Sequence, residues 1–186
     1  MTPTNVLLSY KTGIAKLGDF GFTRAVHDSK PMTGMPCGRQ TPRPLRALRC
    51  TTLWYRAPEL LFGAKHYGRS VDVWSYGCVL AELLGRQPLF PGRGEFDMLQ
   101  KIIERRGTAC EEVWKDCTAL PNFLEFTFHP KAGRYYKVVR PCEASLAELP
   151  MLAKCGASSV SFLEELLTLD PKQRPKTAQV GHLLAL

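Results

Sequence analysis

The sequence has no apolar run long enough to cross a membrane, and it lacks the signals that direct a protein to secretion. Its longest apolar stretch, VWSYGCVLAELL, is shorter than the roughly 18 residues that a span requires, and it contains Glu82. The first residues have neither the basic segment nor the small-residue cleavage site of a signal peptide. These absences predict an intracellular protein, in the nucleus or the cytoplasm, with no membrane partner.

Paired cysteines are also absent. The seven cysteines are odd in number and form no C-x-x-C pair, and the four histidines lack H-E-x-x-H spacing. A disulfide framework needs paired cysteines, and a structural zinc site needs closely spaced Cys or His ligands. We therefore expect reduced thiols and no metal site built from Cys or His.

Acidic residues are missing from residues 29–58, although this segment carries many Lys and Arg and the whole chain has a formal net charge of +8. The segment is rich in Pro and Gly and poor in large apolar residues, which predicts a flexible, solvated loop over about 29–48. A docking, localisation or anionic-partner role stays open. Nucleic-acid binding is disfavoured, because aromatic residues are not interleaved with the basic ones and no recognised motif is present.

The chain can bury one sizeable core, because 45% of its 186 residues are apolar, and its length suggests a single domain or two small subdomains. NVLLSYKTGIAKLGDF has two short apolar runs around a turn signal and predicts a hairpin. Residues 70–87 place apolar side chains around nearly the whole helical circumference, which predicts a helix buried on most sides. Further helices are predicted over EFDMLQKIIERRG, closed by Gly107, over SSVSFLEELLTLDP, and from about Thr177 to Leu186.

Four motifs occur in one order: DFG at 19–21, TTLWYRAPELLFG at 51–63, SVDVWSYGCVLAELL at 70–84 and LTLDPKQRP at 167–175. Each alone is no more than ordinary turn or helix sequence. Together they resemble the C-terminal lobe of a eukaryotic protein kinase, and TTLWYRAPELLFG with RQPLFPG resembles the cyclin-dependent kinase-like branch of the CMGC group. The resemblance implies a mainly α fold, with a helical bundle around a buried central helix and a small β-hairpin near the N-terminus.

This resemblance also implies a division of the chain. Residues 1–186 would form one kinase domain without its N-terminal lobe, containing an activation segment at 19–59, a central helix at 70–87 and an insert region at about 107–157. The similarity weakens between about 107 and 158, where the turns at several prolines fix the connection poorly.

The resemblance implies a site for ATP and Mg²⁺. Asp19 matches the aspartate of DFG, and Asn5 matches the asparagine of the H-R-D-x-x-x-x-N catalytic loop, so both would be metal ligands and Asp19 would also contact the nucleotide. Leu7 matches the apolar residue beneath the adenine ring, although core packing explains it equally well. Phe20 matches the residue whose packing reports the active or inactive state.

The resemblance implies a substrate-binding region that contains Thr51, Thr52 and Arg56. Thr52 matches the threonine that bridges substrate and catalytic loop in Ser/Thr kinases. Arg56 matches the arginine that shapes a pocket favouring proline after the phosphorylated residue. The resemblance therefore implies transfer of the ATP γ-phosphate to Ser or Thr followed by Pro in protein substrates, with a cyclin as a further partner bound through the N-terminal lobe.

Regulation by a phosphorylated threonine is implied only in part. Arg24 matches one of three arginines that clamp that residue, but the phosphothreonine position is occupied by Ala47. Thr33, Thr41 or Thr51 remains as a substitute.

Three further residues are given structural roles by the resemblance. Glu59 and Arg174 match an ion pair that ties the end of the activation segment to the rest of the lobe, and a buried pair of this kind fixes geometry. Asp72 matches the central-helix aspartate that accepts hydrogen bonds from the catalytic-loop backbone. Capping of its own helix at Ser70 is the alternative for Asp72.

The beginning of the sequence carries the last expectation. In H-R-D-x-x-x-x-N the general base lies five positions before the asparagine, which falls one residue before Met1, and Thr2 stands where the motif has a phosphate-contacting Lys. We therefore expect a fragment that begins within a catalytic loop and is inactive by itself. The alternative is a non-catalytic kinase-like binding module, a pseudokinase, which Thr2 and Ala47 favour.

Overall fold

A computed structural model of the chain describes residues 1–21, 32–33, 53–123 and 146–183. The predicted hairpin is present: a 3-10 turn at Pro3–Asn5 leads into β1 (Val6–Leu8), which pairs antiparallel with β2 (Ala15–Leu17). The turn between the strands passes through Gly13 at φ +67°, a conformation that glycine adopts without steric cost. The hairpin prediction is confirmed.

A second, shorter strand pair was not predicted. β3 (Met32–Thr33) pairs antiparallel with β4 (His66–Tyr67). The sequence assigned Met32 and Thr33 to a loop, and that assignment is wrong for these two residues. Two-residue strands carry no detectable alternation, so only the contact between distant parts of the chain reveals them.

Helices make up most of the described secondary structure. The helix α1 is one short turn that begins at a proline, and the others are longer; their bounds are α1 Pro58–Leu61, α2 Ser70–Gly85, α3 Glu95–Arg106, α4 Ala157–Leu166 and α5 Thr177–Leu183. Two more 3-10 turns lie at Cys117–Ala119 and Leu146–Glu148. Within the part of the chain described, none of these helices combines the length and the apolar character that a membrane span requires.

The helix α2 lies at the centre of the core and contacts α4. Trp74, fully buried, stacks on Phe90 with ring centroids 5.7 Å apart. At Gly77 the two helices come so close that a Cβ would lie 2.9 Å from Leu167 Cδ2. This contact explains why a glycine stands in the middle of a buried helix, where its conformational freedom is otherwise a cost.

The last turn of α2 differs from the prediction in two ways. The helix ends at Gly85, two residues earlier than expected, because Arg86 adopts the left-handed conformation at φ 55°. Leu83 is 70% exposed and Leu84 is 38% exposed, so the predicted burial around the whole circumference is wrong here. Periodicity identifies apolar positions but does not tell whether a neighbouring element covers them.

The other predicted helices are present. The helix α3 is closed by Gly107, which has φ +89° and donates its N–H to the carbonyl of Ile103 at 2.9 Å. The helix α4 buries Val160, Leu163 and Leu166 as its pattern predicts. Leu184 to Leu186, included in the prediction for the last helix, lie outside the described residues.

Part of the insert region is well packed. Glu111 accepts hydrogen bonds from the N–H groups of Asp116 and Thr118, and Trp114 packs edge-on against Phe62 at 5.8 Å. Residues 124–145 of this region, and almost all of the basic loop predicted at about 29–48, lie outside the described residues.

Candidate functional site

The open end of the hairpin brings together the two proposed metal ligands. Gly18 donates its N–H to the carbonyl of Asn5 at 2.8 Å, which continues the β1–β2 pairing by one residue. Asp19 therefore follows directly after the residue that pairs with Asn5. Two motif residues far apart in sequence consequently lie at the same end of one hairpin.

Asp19 has an unusual backbone. Its φ is +57°, a left-handed value that few residues other than glycine adopt, and its carboxylate accepts the N–H of Gly21 at 3.3 Å. Residues held in sparsely populated backbone conformations cluster at functional sites. The strain therefore singles out Asp19 within an otherwise regular hairpin.

The chemistry of this donor set fits Mg²⁺. Asn5 and Asp19 offer hard oxygen ligands with a single negative charge, and Mg²⁺ in proteins commonly binds one or two such groups together with substrate phosphates. Among the described residues no three His, Cys, Asp or Glu side chains form a metal-binding group. The pair therefore suits a cation shared with a phosphate ligand better than an all-protein metal site.

The same hairpin exposes an apolar surface. Leu7 is 60% exposed and Phe20 is 66% exposed. The explanation of Leu7 by core packing is therefore wrong, and Phe20 does not pack into the core either. The exposed apolar side chains around them are Leu8, Tyr10, Ile14 and Leu17. Because large apolar side chains are usually buried, this surface indicates a binding or packing face.

The predicted ion pair between Glu59 and Arg174 is present and fully buried. Nη1 and Nη2 of Arg174 each donate to one carboxylate oxygen of Glu59 at 2.8 Å. The remaining donors bind the carbonyls of Thr168, Ser70 and Leu169, so all five N–H groups of the guanidinium are used. The guanidinium carbon also lies 5.0 Å from the centre of the Trp74 ring.

Asp72 is exposed in the first turn of α2. The residue at the N-cap position of the helix is Arg69, and no side chain makes a capping hydrogen bond there. The capping alternative for Asp72 is therefore wrong. The Asp72 N–H donates to the carbonyl of Arg69 at 3.0 Å. Among the described residues the carboxylate of Asp72 has no hydrogen-bond partner, and its role toward a catalytic-loop backbone stays a prediction.

Three residues just before α1 each bond to a residue far away in the sequence. Trp54 Nε1 donates to the carbonyl of Gly92 at 2.9 Å, and the Tyr55 hydroxyl donates to Glu82 at 2.7 Å. Burial raises the pKa of Tyr55, and the Glu82 carboxylate raises it further. Arg56 Nη1 donates to Glu95 Oε1 at 2.9 Å. Sequence reasoning missed Glu82 and Glu95, because no local pattern pairs residues so far apart.

The remaining predicted residues are only partly covered. Arg24, Thr51 and Thr52 lie outside the described residues, as does Ala47. Thr2 makes a hydroxyl–hydroxyl hydrogen bond with Thr4 at 2.8 Å, so a neutral hydrogen-bonded group stands where the motif has a Lys.

The chain is similar to curated proteins that are named as protein kinases. The chain is 45% identical over 130 residues to cyclin-dependent kinase 7 of Dictyostelium discoideum, which covers 70% of this chain and 32% of that protein. It is 38% identical over 172 residues to the "Probable serine/threonine-protein kinase KIN28 homolog" of Encephalitozoon cuniculi, covering 92% of this chain and 46% of that protein. The chain thus spans less than half the length of these relatives.

A solved structure shares the fold. The CAK complex from Chaetomium thermophilum bound to ATP-gamma-S contains a chain that matches 96% of this one with a TM-score of 0.72 and 33% sequence identity, over 48% of that chain. The family model "Protein kinase domain" matches residues 1–183. Because this match covers nearly the whole sequence, the chain belongs to the protein kinase domain family.

Proposed function

We propose that this chain corresponds to the C-terminal lobe of a cyclin-dependent-type Ser/Thr protein kinase, one that transfers the ATP γ-phosphate to Ser or Thr followed by Pro. The observation that carries the proposal is the pairing of Asn5 with Gly18, which places Asn5 and Asp19 at one end of the hairpin. Phosphoryl transfer depends on such positioning of charge more than on covalent chemistry.

In this proposal the hairpin end binds the nucleotide. Asn5 and Asp19 hold Mg²⁺, which when bound neutralises charge on the triphosphate. Leu7 lies beneath the adenine ring, and its exposure of 60% leaves its side chain accessible to a ligand. Phe20, exposed beside it, packs against the part of the kinase that covers the nucleotide.

The protein substrate binds near the residues that precede α1. Thr51, Thr52 and Arg56 contact the substrate, with Thr52 selecting Ser or Thr and Arg56 selecting the proline that follows. The buried pair of Glu59 and Arg174 ties this segment to the start of α2 and to the 168–174 turn, so the substrate groups are attached to a buried part of the core. Arg24 binds a phosphorylated residue of the activation segment. Asp72 accepts hydrogen bonds from the backbone of the catalytic loop.

The relatives support the cofactor and the partner. A structural neighbour is bound to ATP-gamma-S, which supports the use of ATP. A curated relative is named cyclin-dependent kinase 7, which supports a cyclin as partner. We propose that ATP and the cyclin bind the complete kinase.

The 186-residue chain by itself should show no transfer. Thr2 stands where the motif has a phosphate-contacting Lys, and the chain spans less than half the length of the relatives described above. Loss of one oriented catalytic group commonly costs about a hundredfold or more in rate. Transfer should therefore require the chain extended upstream through His-Arg-Asp and the nucleotide-covering lobe, with a cyclin supplied.

The test compares two aspartates in this extended kinase, using a Ser-Pro peptide and labelled ATP. Asp19→Asn should abolish transfer. Asp116→Asn is the matched control, because Asp116 is also exposed and also has a positive φ, 65°, but lies in the insert region. Transfer that survives Asp19→Asn, or that is lost equally in the control, would contradict the proposed site.

The alternative is a non-catalytic kinase-like binding module. The neutral Thr2, hydrogen-bonded to Thr4 in place of a phosphate-contacting Lys, favours it. In that case the extended protein with Asp19 unchanged gives no transfer to any Ser-Pro peptide, while it still binds its partner.

A further inference from the structure

The ion pair between Arg56 and Glu95 joins the proposed substrate segment to the start of α3. Arg56 Nη1 lies 2.9 Å from Glu95 Oε1, and the two side chains are 17% and 46% exposed. The pair thus lies at the surface, with the arginine largely covered and the carboxylate half open to solvent. Its position differs from that of the Glu59 and Arg174 pair, which is buried.

This ion pair is not required to hold the segment in place. Trp54 is bound to Gly92 and Tyr55 to Glu82, so the backbone on the N-terminal side of Arg56 is already anchored twice. Glu59 anchors the C-terminal side through Arg174. What Glu95 fixes in addition is the guanidinium of Arg56.

Glu95 is itself held by the helix on which it lies. It is in the first turn of α3, where a negative charge is favoured by the helix dipole. The loop before it is fixed by the N–H of Arg93, which donates to Asp97 at 2.8 Å. The backbone that carries Glu95 is therefore positioned without Arg56.

The contact uses only one nitrogen of the guanidinium. Among the described residues, Nε and Nη2 of Arg56 have no hydrogen-bond partner, so they are free to donate to carbonyl oxygens near the bound peptide. When Arg56 occupies those carbonyl oxygens, a peptide residue with a backbone N–H has no acceptor for it, which costs free energy. Proline has no backbone N–H and avoids this cost. The direction of these donors depends on where Glu95 holds Nη1.

We infer that Glu95 is a positioning residue that sets the preference of Arg56 for proline after the phosphorylated residue. This inference rests on the proposed function, since it assumes that Arg56 contacts the substrate. Glu95 acts through Arg56 and does not touch the reacting atoms.

The experiment measures kcat/KM for a Ser-Pro peptide and for the matched Ser-Ala peptide in the extended, cyclin-supplied kinase. Glu95→Gln should lower the Ser-Pro to Ser-Ala ratio by about tenfold, the effect of losing one charge-assisted hydrogen bond, with kcat/KM for Ser-Ala nearly unchanged. Glu104→Gln is the control, because Glu104 is an exposed carboxylate on the same helix bound only to Gln100 among the described residues. Arg56→Ala should remove the preference.

A charge swap separates positioning from a merely structural link. Arg56→Glu combined with Glu95→Arg should bring the thermal midpoint back from the value of the single variants to that of the unchanged kinase. It should not restore the proline preference, because the guanidinium is then on α3. Restoration of the preference by the swap would overturn the inference, as would an unchanged ratio in Glu95→Gln alongside a lost ratio in Arg56→Ala. The proposed function survives both of these outcomes. No transfer to either peptide by the unchanged kinase overturns the proposed function and the inference with it.

Discussion

The surroundings of Arg174 and the open end of the hairpin differ in how far their side chains are buried and bonded within the chain. Arg174 is 5% exposed and every N–H of its guanidinium has a partner. At the hairpin end, Asp19 is exposed in a strained backbone and the apolar side chains Leu7 and Phe20 are more than half exposed. In the first region the guanidinium has a partner within the chain for every N–H, whereas the side chains of the second region are accessible to solvent.

The difference separates residues that hold the fold from residues that meet a ligand. Removing a satisfied, buried group leaves an unpaired partner in the core, whereas removing an exposed group changes little within the chain. Substitutions in the interior should therefore reduce stability, and substitutions at the hairpin end should change binding without reducing stability. The following predictions test that separation in order of decreasing effect on the free energy of unfolding.

The largest effect is expected from Arg174→Met. The substitution leaves the Glu59 carboxylate buried and unpaired, which costs about 3–5 kcal/mol. Lys172→Met is the control, because Lys172 pairs with Asp116 at 3.6 Å on the surface, with side chains 71% and 64% exposed, and such pairs contribute about 0–1 kcal/mol. Urea denaturation of both variants measures the difference, and similar midpoints would contradict the structural role of the buried pair.

A smaller loss is expected from Gly77→Ala. The added Cβ would lie 2.9 Å from Leu167 Cδ2 and 3.0 Å from Leu166 Cβ, so α2 and α4 must move apart. Overpacking of this kind costs about 1–3 kcal/mol. Gly68→Ala is the control, because a Cβ there meets nothing within 4 Å. Thermal unfolding should show a lowered midpoint for the first variant only; an unchanged midpoint at Gly77 would show that the helices adjust freely.

Leu7→Ser should change the free energy of unfolding by no more than about 0.5 kcal/mol, as is usual for surface sites. Leu163→Ala, at a leucine with no exposed area, should cost about 2–5 kcal/mol. In the extended kinase, Leu7→Ser should instead raise the KM for ATP. The separation between the two regions would fail if Leu7→Ser unfolded the chain as Leu163→Ala does.

The smallest effect is local and depends on pH. Hydrogen bonds from the Thr118 hydroxyl and from the N–H groups of Asp116 and Thr118 lower the pKa of Glu111 below its ordinary value of 4.5. Because the folded pKa is below the unfolded one, this contribution is present above about pH 4.5 and is lost as the pH falls through the folded pKa. Amide protection of Thr118 should decrease over that range, and Glu111→Gln should remove the dependence. Protection that stays constant with pH would contradict this role of Glu111.

The sequence predicted the hairpin, the long helices and the Glu59–Arg174 pair. The helices carry local signals, such as the apolar stripe of α3 and the glycine that ends it, and local signals can be interpreted residue by residue. The ion pair came from motif resemblance, since no spacing rule connects Glu59 with Arg174. In the candidate site, Asn5 and Asp19 were identified in the same way, while Glu82 and Glu95 were missed because no local pattern pairs them with Tyr55 and Arg56.

What the sequence by itself determined is therefore the set of elements and the family motifs, because helix caps, turn glycines and apolar periodicity act between near neighbours in the chain. Only the tertiary structure decided that the last turn of α2 stays exposed at Leu83, that β3 pairs with β4, and that Arg56 is held by Glu95. Each of these depends on which distant surface comes within contact distance. That distance is set by the packing of the whole core, and no short stretch of sequence contains it.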